Sequence, residues 1–468
     1  MCLKQIIIII IMKKLILLIV AALIAVCASA QQNNGPRKVT LEKDGNEWVM
    51  KVDGKPFFVH GASIYNRQPF FPRLSNYGAN TARIFSLKND PDHVLKAMNK
   101  VGLMCHVGLG FKSIRSGFYD ADEAAAIAEQ EKAIIENVKK YKDHPAVLCW
   151  SIGNEFEIGN AEKPLTAQYE SINRLAKKIH ELDPNHPVTL AIEDRMTPAK
   201  LKGLVEICTD LDFLCINGYI EEGNRFDLPE LVKEIGWEKP YMSTELGPEG
   251  WWMHERLSER RYTDWGAVVD YTSTEKEDKY EYCMTTLYKD PACIGVLTFL
   301  WGNQTGSRDE VLEWYGLLDP NGYTYGAVDV MQRYWTGHWP AARAPRIEKR
   351  EDLTMNGKVA SNWIRVDAGT KNKASVKVGN PAGVPLRYHW RIVPERSRRA
   401  DNKFHDGIEG LVVNNGKTKV NFIAPYKPGA YRLYVHVYDD VNKKAAYASI
   451  PFYVNGNAAE LEDYGGRP

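Results

Sequence analysis

The sequence carries almost no net charge and has no dense run of basic residues. Its 468 residues include 60 lysines and arginines against 59 aspartates and glutamates, a net charge of +1. Chains that bind nucleic acid usually concentrate basic residues in one run or on one face. The balance therefore argues against a nucleic-acid partner, and a content of 44% hydrophobic and 11% aromatic residues is typical of a globular protein.

Cysteines are few and widely spaced, and the spacings typical of metal sites are missing. Of the eight cysteines, Cys2 and Cys27 lie near the N-terminus and the other six are spread from Cys105 to Cys293. The sequence contains neither a CxxC pair nor an HExxH motif, so it does not predict a zinc site or a disulfide framework. His60 and His106 are interpreted as core or supporting residues. We expect no metal and no organic cofactor.

The N-terminus has the pattern of a secretory signal. Met12-Lys13-Lys14 precedes the apolar run Leu15–Val26, and Ala28-Ser29-Ala30 supplies a small-residue cleavage site. The run is too short to cross a membrane. We therefore predict that residues 1–30 are a signal peptide and that the protein is exported to the periplasm or the medium without a membrane span. A lipid anchor at Cys27 is the less favoured alternative.

Two short apolar runs each end in a glutamate. Residues 146–151 are nearly all apolar and lead to Asn154-Glu155, while Pro240-Tyr241-Met242-Ser243-Thr244 leads to Glu245. Continuous apolar runs of this length are typical of strands buried on both faces of a parallel sheet. The carboxyl ends of such strands are where α/β folds carry their chemistry. The interval between the two leaves room for about three βα units, at roughly 30 residues per unit.

Eight strand-like runs alternate with helical patterns over roughly 250 residues, which predicts a (β/α)8 barrel. The predicted strands are Pro56–Ala62, Asn80–Phe85, Leu103–Leu109, Ala146–Ser151, Val188–Ile192, Leu211–Tyr219, Pro240–Glu245 and Ile294–Trp301. The helical patterns are clearest over Ala121–Tyr141 and Leu165–Leu182. An alternating segment around Asp44-Gly45-Asn46 predicts a hairpin before the first barrel strand.

The pattern changes after residue 340. Pro340–Pro345 reads as a linker, and short alternating strands separated by Gly, Pro and Asn follow it. We therefore predict a barrel domain at residues 31–340 with an N-terminal hairpin, a small all-β sandwich of immunoglobulin type at 346–456, and a tail at 457–468. The sandwich is expected to brace the barrel.

Two carboxylates facing one cleft provide the chemistry of glycoside hydrolysis. One protonates the leaving oxygen, and the other attacks the anomeric carbon or activates water. Glu155 and Glu245 are the candidates, and Asn154 is placed to donate to a sugar hydroxyl. Arg83 and Tyr219, near the ends of their strands, are candidates to keep one carboxylate ionised. A structural ion pair and a buried core tyrosine are the alternatives for these two residues.

Aromatic residues cluster at the expected mouth of the barrel. Their flat faces suit the C–H faces of pyranose rings, and Trp301 is the best single candidate to contact the sugar that is cleaved. The full set is Tyr65, Phe156, Trp251, Trp252, Trp301 and Trp314. Glu157 and Glu249 lie close to the two candidate glutamates but are predicted to be loop residues.

Trp150-Ser151-Ile152-Gly153-Asn154-Glu155 followed by Thr244-Glu245 resembles the signature of the clan A retaining glycoside hydrolases. The resemblance implies that Glu155 on the fourth strand is the acid/base and that Glu245 on the seventh is the nucleophile. The clan's arginine on the second strand, tyrosine after the sixth and tryptophan after the eighth match Arg83, Tyr219 and Trp301. The resemblance to the clan covers roughly Lys55 to Trp301.

The order of a single barrel and one sandwich is similar to that of bacterial endo-β-1,3-glucanases. The barrel is also similar to the catalytic domain of family 2 glycosidases, but the sequence carries no N-terminal sandwich domains of the kind those enzymes have. The resemblance therefore predicts a monomeric, retaining, endo-acting enzyme on a polysaccharide or oligosaccharide, with laminarin-type β-1,3-glucan as the expected substrate. The alternatives are a carbohydrate-binding protein on an inactive barrel, a β-glucan transglycosylase, or another clan A specificity such as β-mannan or β-galactan.

Overall fold

The computed structural model describes nine ranges of the chain. They are residues 35–65, 70–112, 123–156, 165–196, 198–220, 226–249, 262–302, 315–395 and 407–456. The predicted signal peptide and the predicted tail lie outside these ranges. No helix in the described ranges is both long enough and apolar enough to span a bilayer.

The centre of the molecule is a closed barrel of eight parallel strands, which confirms the predicted fold class. The strands follow one another around the barrel in chain order, and their side chains are almost all buried, as expected of strands covered on both faces. They are β4 (Val59–Ile64), β5 (Thr81–Ile84), β6 (Met104–Phe111), β7 (Val147–Asn154), β8 (Val188–Glu193), β9 (Phe213–Tyr219), β10 (Tyr241–Gly247) and β11 (Cys293–Thr298).

Helices cover the outside of the barrel. Among the described residues they are α1 (Pro91–Lys100), α2 (Glu123–Tyr141), α3 (Thr166–Leu182), α4 (Pro198–Ile207), α5 (Leu228–Glu234), α6 (Ser273–Leu287) and α7 (Gly326–Thr336). A 3₁₀ helix, Phe71–Tyr77, lies between β4 and β5. The local sequence fixes the start of α6. Thr272 accepts a hydrogen bond from the Glu275 amide, and the Glu275 carboxylate accepts one from the Thr272 amide, which together form a capping box.

The predicted hairpin closes one end of the barrel. β1 (Val39–Asp44), β2 (Glu47–Val52) and β3 (Lys55–Pro56) form a three-stranded antiparallel sheet. Apolar residues of this sheet, including Met50 and Val52, share a buried cluster with Met104 and Phe213 at the amino ends of barrel strands. The opposite end, where the strands finish, remains available for a site.

Two four-stranded sheets follow the barrel. One contains β12 (Leu353–Met355), β14 (Lys371–Val376), β17 (Lys419–Ile423) and β16 (Val412–Val413); the other contains β13 (Ile364–Asp367), β19 (Lys444–Asn455), β18 (Gly429–Asp439) and β15 (Leu386–Pro394). Short 3₁₀ helices, Arg350–Asp352 and Ala360–Asn362, precede β12 and β13. Both sheets contribute to one apolar cluster, in which Phe422 of the first contacts Phe452 of the second. The immunoglobulin-type topology and the domain boundaries stay predictions.

Polar contacts join the barrel to these sheets. Lys276 of α6 donates to the Tyr447 hydroxyl at 2.7 Å, and the Tyr447 amide donates to Ser273 at 3.0 Å. The predicted linker is also attached, because Arg343 pairs with Glu277 and the Ala344 amide donates to Asp329. Buried polar groups usually have hydrogen-bond partners, and here the partners lie on both sides of the junction. The sheets therefore pack against the barrel, which is consistent with a bracing role.

Arg432 provides a test of this junction. It is 1% exposed, lies 2.7 Å from Glu395, and donates at 2.7 Å to the Val268 carbonyl of the barrel. Arg432→Met would leave the buried Glu395 carboxylate without its cation, and we expect the free energy of unfolding to fall by about 3–5 kcal/mol in urea titration. The control is Arg365→Met, which removes the solvent-exposed pair with Asp264 and should cost less than about 1 kcal/mol. Equal losses would contradict the buried-pair interpretation.

Candidate active site

Glu155 and Glu245 lie at the same end of the barrel. Glu155 follows the last residue of β7, and Glu245 lies near the end of β10. Because the strands are parallel, their carboxyl ends all meet at one rim. The structure therefore brings the two glutamates named from sequence to the rim on which barrel enzymes build their sites.

The backbone is irregular at both glutamates. The pairing of β7 with β8 shifts register between Ser151 and Asn154, and Glu155 has a φ of 45°, in the left-handed region. The pairing of β10 with β9 shifts register immediately before Glu245. Bulges of this kind re-aim side chains next to sites, and a left-handed conformation is costly for a residue other than glycine. Both irregularities mark the two positions as functional candidates.

Asn217 of β9 joins the two carboxylates. Its Nδ2 atom lies 2.8 Å from Glu155 Oε1 and 3.0 Å from Glu245 Oε1. Since both oxygens contact one nitrogen, they are separated by at most the sum of these distances, about 5.8 Å. Retaining glycosidases hold their carboxyl groups about 5–5.5 Å apart, whereas inverting enzymes need roughly 6.5–9.5 Å. The spacing fits the retaining geometry.

Three donors surround the Glu245 carboxylate, which is 6% exposed. Arg83 Nη1 and Asn217 Nδ2 reach Oε1 at 2.8 and 3.0 Å, and the Tyr219 hydroxyl donates to Oε2 at 2.7 Å. Hydrogen bonds and a positive charge both stabilise the ionised form of a carboxylate. Glu245 is therefore equipped to act as an anion, and Glu155, which is less buried, is the member of the pair nearer to open space.

Arg83 is fixed by several neighbours in the barrel interior. It is 1% exposed, donates to the Thr244 carbonyl at 3.1 Å and to the Asn154 side chain, and lies 4.5 Å from the centre of the Phe85 ring. Burial, together with the charge of Arg83, lowers the pKa of the adjacent His106 to about 3. His106 is thus neutral and adds no second cation, so the charge of Arg83 is directed to Glu245.

Tyr219 stays protonated and so remains a donor. Burial raises its pKa well above the ordinary value, and the negative charge of Glu245 raises it further. We expect Tyr219→Phe to lower kcat by about 10- to 100-fold, because one hydrogen bond to a charged group is lost. Steady-state kinetics will measure this, with Tyr426→Phe as the control, because Tyr426 is an exposed tyrosine between β17 and β18. An unchanged kcat would contradict the role assigned to the hydroxyl.

The structure contradicts the prediction that Trp301 contacts the sugar. Its side chain is fully buried, its indole N–H donates to the Phe70 carbonyl at 3.0 Å, and its ring packs edge-on against Tyr77. The physical reason is that β11 ends at Thr298, so Trp301 lies beyond the strand end and turns into the packing around the 3₁₀ helix. The aromatic rings that pack against Tyr219, the donor to Glu245, are those of Phe299 at 6.4 Å and Tyr315 at 5.1 Å between ring centres.

The remaining candidates fall into three groups. Tyr65 is 50% exposed, and its ring centre lies 5.9 Å from that of Phe85, at the rim of the barrel. Phe156 is buried against Phe111 and Tyr169, and Glu249 is buried 2.7 Å from Lys279. Trp251, Trp252, Trp314 and Glu157 lie outside the described residues.

Sequence reasoning missed Asn217 and Phe299. Asn217 was visible as the polar residue two positions before Tyr219, and alternate residues of a strand point to the same face. That periodicity places Asn217 beside the tyrosine and toward the same carboxylate. Phe299 had no comparable signal, because it is one of several large apolar residues at the end of the predicted strand. In the part of the chain that the structure describes, no group of three His, Cys, Asp or Glu side chains is arranged to hold a metal ion.

Comparison with known proteins supports a glycoside hydrolase barrel of clan A. Residues 93–256 match the family described as "Glycosyl hydrolases family 2, TIM barrel domain". The match supports the resemblance to clan A, but it does not support an endo-β-1,3-glucanase in particular.

The relatives within that class carry the name β-glucuronidase. A putative β-glucuronidase of Formosa agariphila is 22% identical over 402 residues, which are 77% of this chain and 45% of that protein. A β-glucuronidase of Paenibacillus borealis is 26% identical over 164 residues, 32% of this chain and 25% of that protein. The crystal structure of Bacteroides uniformis β-glucuronidase superposes with a TM-score of 0.50 at 14% identity, covering 91% of this chain and 49% of that one. This chain spans less than half the length of these relatives.

Proposed function

We propose that the protein is a retaining β-glycosidase in which Glu245 is the nucleophile and Glu155 is the acid/base. The observation that carries the proposal is the contact of one Asn217 nitrogen with both carboxylates. It limits the separation of the two oxygens to a value that excludes an intervening water and suits direct attack on the anomeric carbon. The intact pair argues against the alternative of an inactive, carbohydrate-binding barrel.

The first chemical step joins the sugar to the enzyme. A carboxylate oxygen of Glu245 attacks the anomeric carbon while the bond to the leaving oxygen breaks, and Glu155 gives its proton to that oxygen. Asn217, Arg83 and Tyr219 hold the carboxylate in place before the attack. The result is a glycosyl ester on Glu245 and an ionised Glu155.

The second step releases the sugar. Glu155 now takes a proton from water, and the oxygen of that water attacks the anomeric carbon and displaces Glu245. Two inversions give net retention. If a sugar hydroxyl replaces the water, the same step is a transglycosylation, so both reactions are open to the same residues.

For the substrate, β-glucuronides are the class to test first, because the named relatives are β-glucuronidases. Endo attack on β-1,3-glucan has no support from those relatives and stays a prediction, as do β-mannan and β-galactan. A panel of 4-nitrophenyl β-glycosides together with laminarin, mannan and galactan separates these alternatives. Chromatography of the products distinguishes endo from exo attack and hydrolysis from transfer.

The decisive experiment follows the anomeric proton of the product by NMR during the first minutes of turnover. Retention predicts that the β-anomer appears first and then mutarotates. Initial release of the α-anomer would overturn the double-displacement proposal, and no turnover of any glycoside in the panel would overturn the assignment as a glycosidase.

Export is a second proposal and rests on the basic and apolar pattern of residues 12–30. Mass spectrometry of the protein from the native host should show an N-terminus at Gln31. A mature chain that retains the apolar segment would contradict export by cleavage, and a lipid-modified Cys27 would support the anchored alternative.

A further inference from the structure

The barrel strand β10 contains an inserted residue immediately before the proposed nucleophile. Ser243 pairs with Ile216 of β9 and Glu245 pairs with Asn217, so Thr244 is the residue inserted between the two pairs. Such an insertion is a bulge, which re-aims side chains next to functional sites. Successive residues of a regular strand point to opposite faces. The bulge therefore allows two successive side chains, those of Thr244 and Glu245, to reach the same neighbour.

That neighbour is Asn217. The Thr244 hydroxyl donates to Asn217 Oδ1 at 2.8 Å, and Asn217 Nδ2 lies 3.0 Å from Glu245 Oε1. Thr244 and Asn217 are both buried. Two successive residues of β10 thus hold the two ends of one side-chain amide, the first through its oxygen and the second through its nitrogen.

The chemistry of the site decides which end of the amide faces the carboxylates. The ionised Glu245 carboxylate accepts hydrogen bonds and donates none. The nitrogen of Asn217 must therefore face Glu245, which leaves the amide oxygen toward Thr244. In the part of the chain that the structure describes, the Thr244 hydroxyl is the donor to this oxygen. A buried carbonyl oxygen that loses its donor costs free energy, so the amide depends on the hydroxyl.

Asn217 Nδ2 has more acceptors than hydrogens. It lies 2.8 Å from Glu155 Oε1, 3.0 Å from Glu245 Oε1 and 3.1 Å from Asn154 Oδ1, whereas an amide nitrogen carries two hydrogens. These contacts change in strength during the proposed double displacement, because Glu245 becomes a neutral ester and Glu155 becomes ionised. The contact with Thr244 involves neither charge, so it can hold the amide throughout the cycle.

Thr244 is itself held in place. Its carbonyl oxygen accepts from Ser63 Oγ of β4 at 3.0 Å and from Arg83 Nη1 of β5 at 3.1 Å. A bulge leaves the inserted residue outside the regular ladder, and these two side chains supply hydrogen bonds in its place. The hydroxyl is therefore presented to Asn217 from a fixed backbone.

We infer that Thr244 is a positioning residue, whose hydroxyl fixes the side-chain amide of Asn217 and thereby the hydrogen bonds to both carboxylates. The terminal torsion of an asparagine is broad, so contacts at the nitrogen alone leave the amide plane loosely defined when the carboxylates change charge. The effect of Thr244 on turnover rests on the proposed function, whereas its effect on the Asn217 amide does not.

The first test separates the hydroxyl of Thr244 from the shape of its side chain. Thr244→Val keeps the shape and removes the hydroxyl, and we expect kcat/KM on an aryl β-glycoside to fall about 10-fold, as the loss of one buried hydrogen bond predicts. Thr244→Ser keeps the hydroxyl and loses a methyl group, and should stay within about 3-fold of the wild type. A role in packing alone predicts the reverse order, with serine more damaging than valine.

A second contact of the same kind provides the matched control. The Thr81 hydroxyl donates to Asn80 Oδ1, also at 2.8 Å, at the amino end of β5 and away from the carboxylates. Thr81→Val should therefore keep the wild-type kcat/KM. Thermal unfolding confirms that each variant is folded, and Thr244→Ala replaces Thr244→Val if the valine variant is not.

A double-mutant cycle tests whether Thr244 acts through Asn217. If Asn217→Ala alone lowers kcat/KM about 100-fold, Thr244→Val in that background should add less than about 2-fold, because the amide on which the hydroxyl acts is gone. A further loss of about 10-fold would show that the two residues act independently and would contradict the inference.

The last measurement does not need turnover. In protein that contains isotopically labelled asparagine, the NMR signal of the Asn217 side-chain amide is assigned by its loss in Asn217→Ala. Thr244→Val should shift or broaden this signal, whereas Thr244→Ser and the control Thr81→Val should leave it near its wild-type position.

The outcomes separate this inference from the proposed function. If the wild-type protein cleaves glycosides but Thr244→Val changes neither kcat/KM nor the Asn217 signal, the positioning role is wrong and the proposed function stands. If no glycoside is cleaved but the signal responds to Thr244→Val and not to Thr81→Val, the proposed function fails and the role of Thr244 in fixing the amide stands.

Discussion

Glu245→Ala is expected to lower kcat by roughly 10⁴- to 10⁶-fold, the range seen when a nucleophile is removed. Without the carboxylate the glycosyl ester cannot form, and the remaining donors, Arg83, Asn217 and Tyr219, have no anion to present. Initial rates with an activated aryl β-glycoside measure the loss. Truncation of the side chain leaves a space large enough for a small external anion to occupy.

Azide identifies the role of the missing side chain. In Glu245→Ala, azide added to the assay should restore part of the rate and give an α-glycosyl azide, since it attacks from the face that Glu245 occupied. The product is identified by its anomeric coupling constant in NMR. Recovery of a β-glycosyl azide would place Glu245 on the opposite face of the anomeric carbon and contradict its assignment as the nucleophile.

A surface glutamate provides the control for this variant. Glu238 is exposed and precedes β10. Glu238→Ala therefore tests whether the loss of any carboxylate near this strand is sufficient to lower kcat. It should retain the wild-type kcat and show no response to azide. A loss similar to that of Glu245→Ala would indicate a general effect on the strand.

The sequence predicted the barrel well because its strands are local signals. Each barrel strand is a short apolar run with both faces buried, so its composition alone marks it. The carboxylates were found for a related reason: a charged residue at the end of such a run, as at Glu155, must leave the core at the rim.

The residues that were mispredicted depend on where a strand ends, which composition does not mark. The apolar run from Ile294 to Trp301 continues past the end of β11 at Thr298, so the pattern favoured the large tryptophan over Phe299. Trp301 lies three residues past the end of the strand, and its side chain is fully buried. Boundaries of this kind are set by tertiary contacts, such as the bond from Trp301 to the Phe70 carbonyl.

The choice of β-1,3-glucan as substrate stays a prediction, because it rested on the layout of the chain. The same scaffold of a barrel and sheets carries many specificities, since specificity depends on the groups around the two carboxylates and not on the fold. The groups that line the cavity beside Glu155 illustrate this. They follow different strands, such as Phe85 after β5 and Phe111 at the end of β6, and only the folded barrel brings them to one space.

The second large effect is expected from Glu155→Ala, and it depends on the leaving group. An acid/base residue contributes about 10²–10⁴-fold, but only where the leaving oxygen needs a proton. We therefore expect a loss of that size on an unactivated alkyl or sugar β-glycoside and a much smaller loss on a 2,4-dinitrophenyl glycoside in the first step. The ratio of the two values of kcat/KM is the measurement.

Azide should act on Glu155→Ala with the opposite stereochemistry. Here the glycosyl ester on Glu245 still forms, so azide attacks that ester from the side of the missing acid/base and gives a β-glycosyl azide. Glu193→Gln is the matched control, because Glu193 also ends a barrel strand, β8, and should change the rates on both leaving groups alike. If Glu155→Ala lost activity equally on both leaving groups, or if azide gave the α-product, Glu155 would not be the proton donor. Opposite azide configurations from the two variants would place the two carboxylates on opposite faces of one anomeric carbon, as double displacement requires.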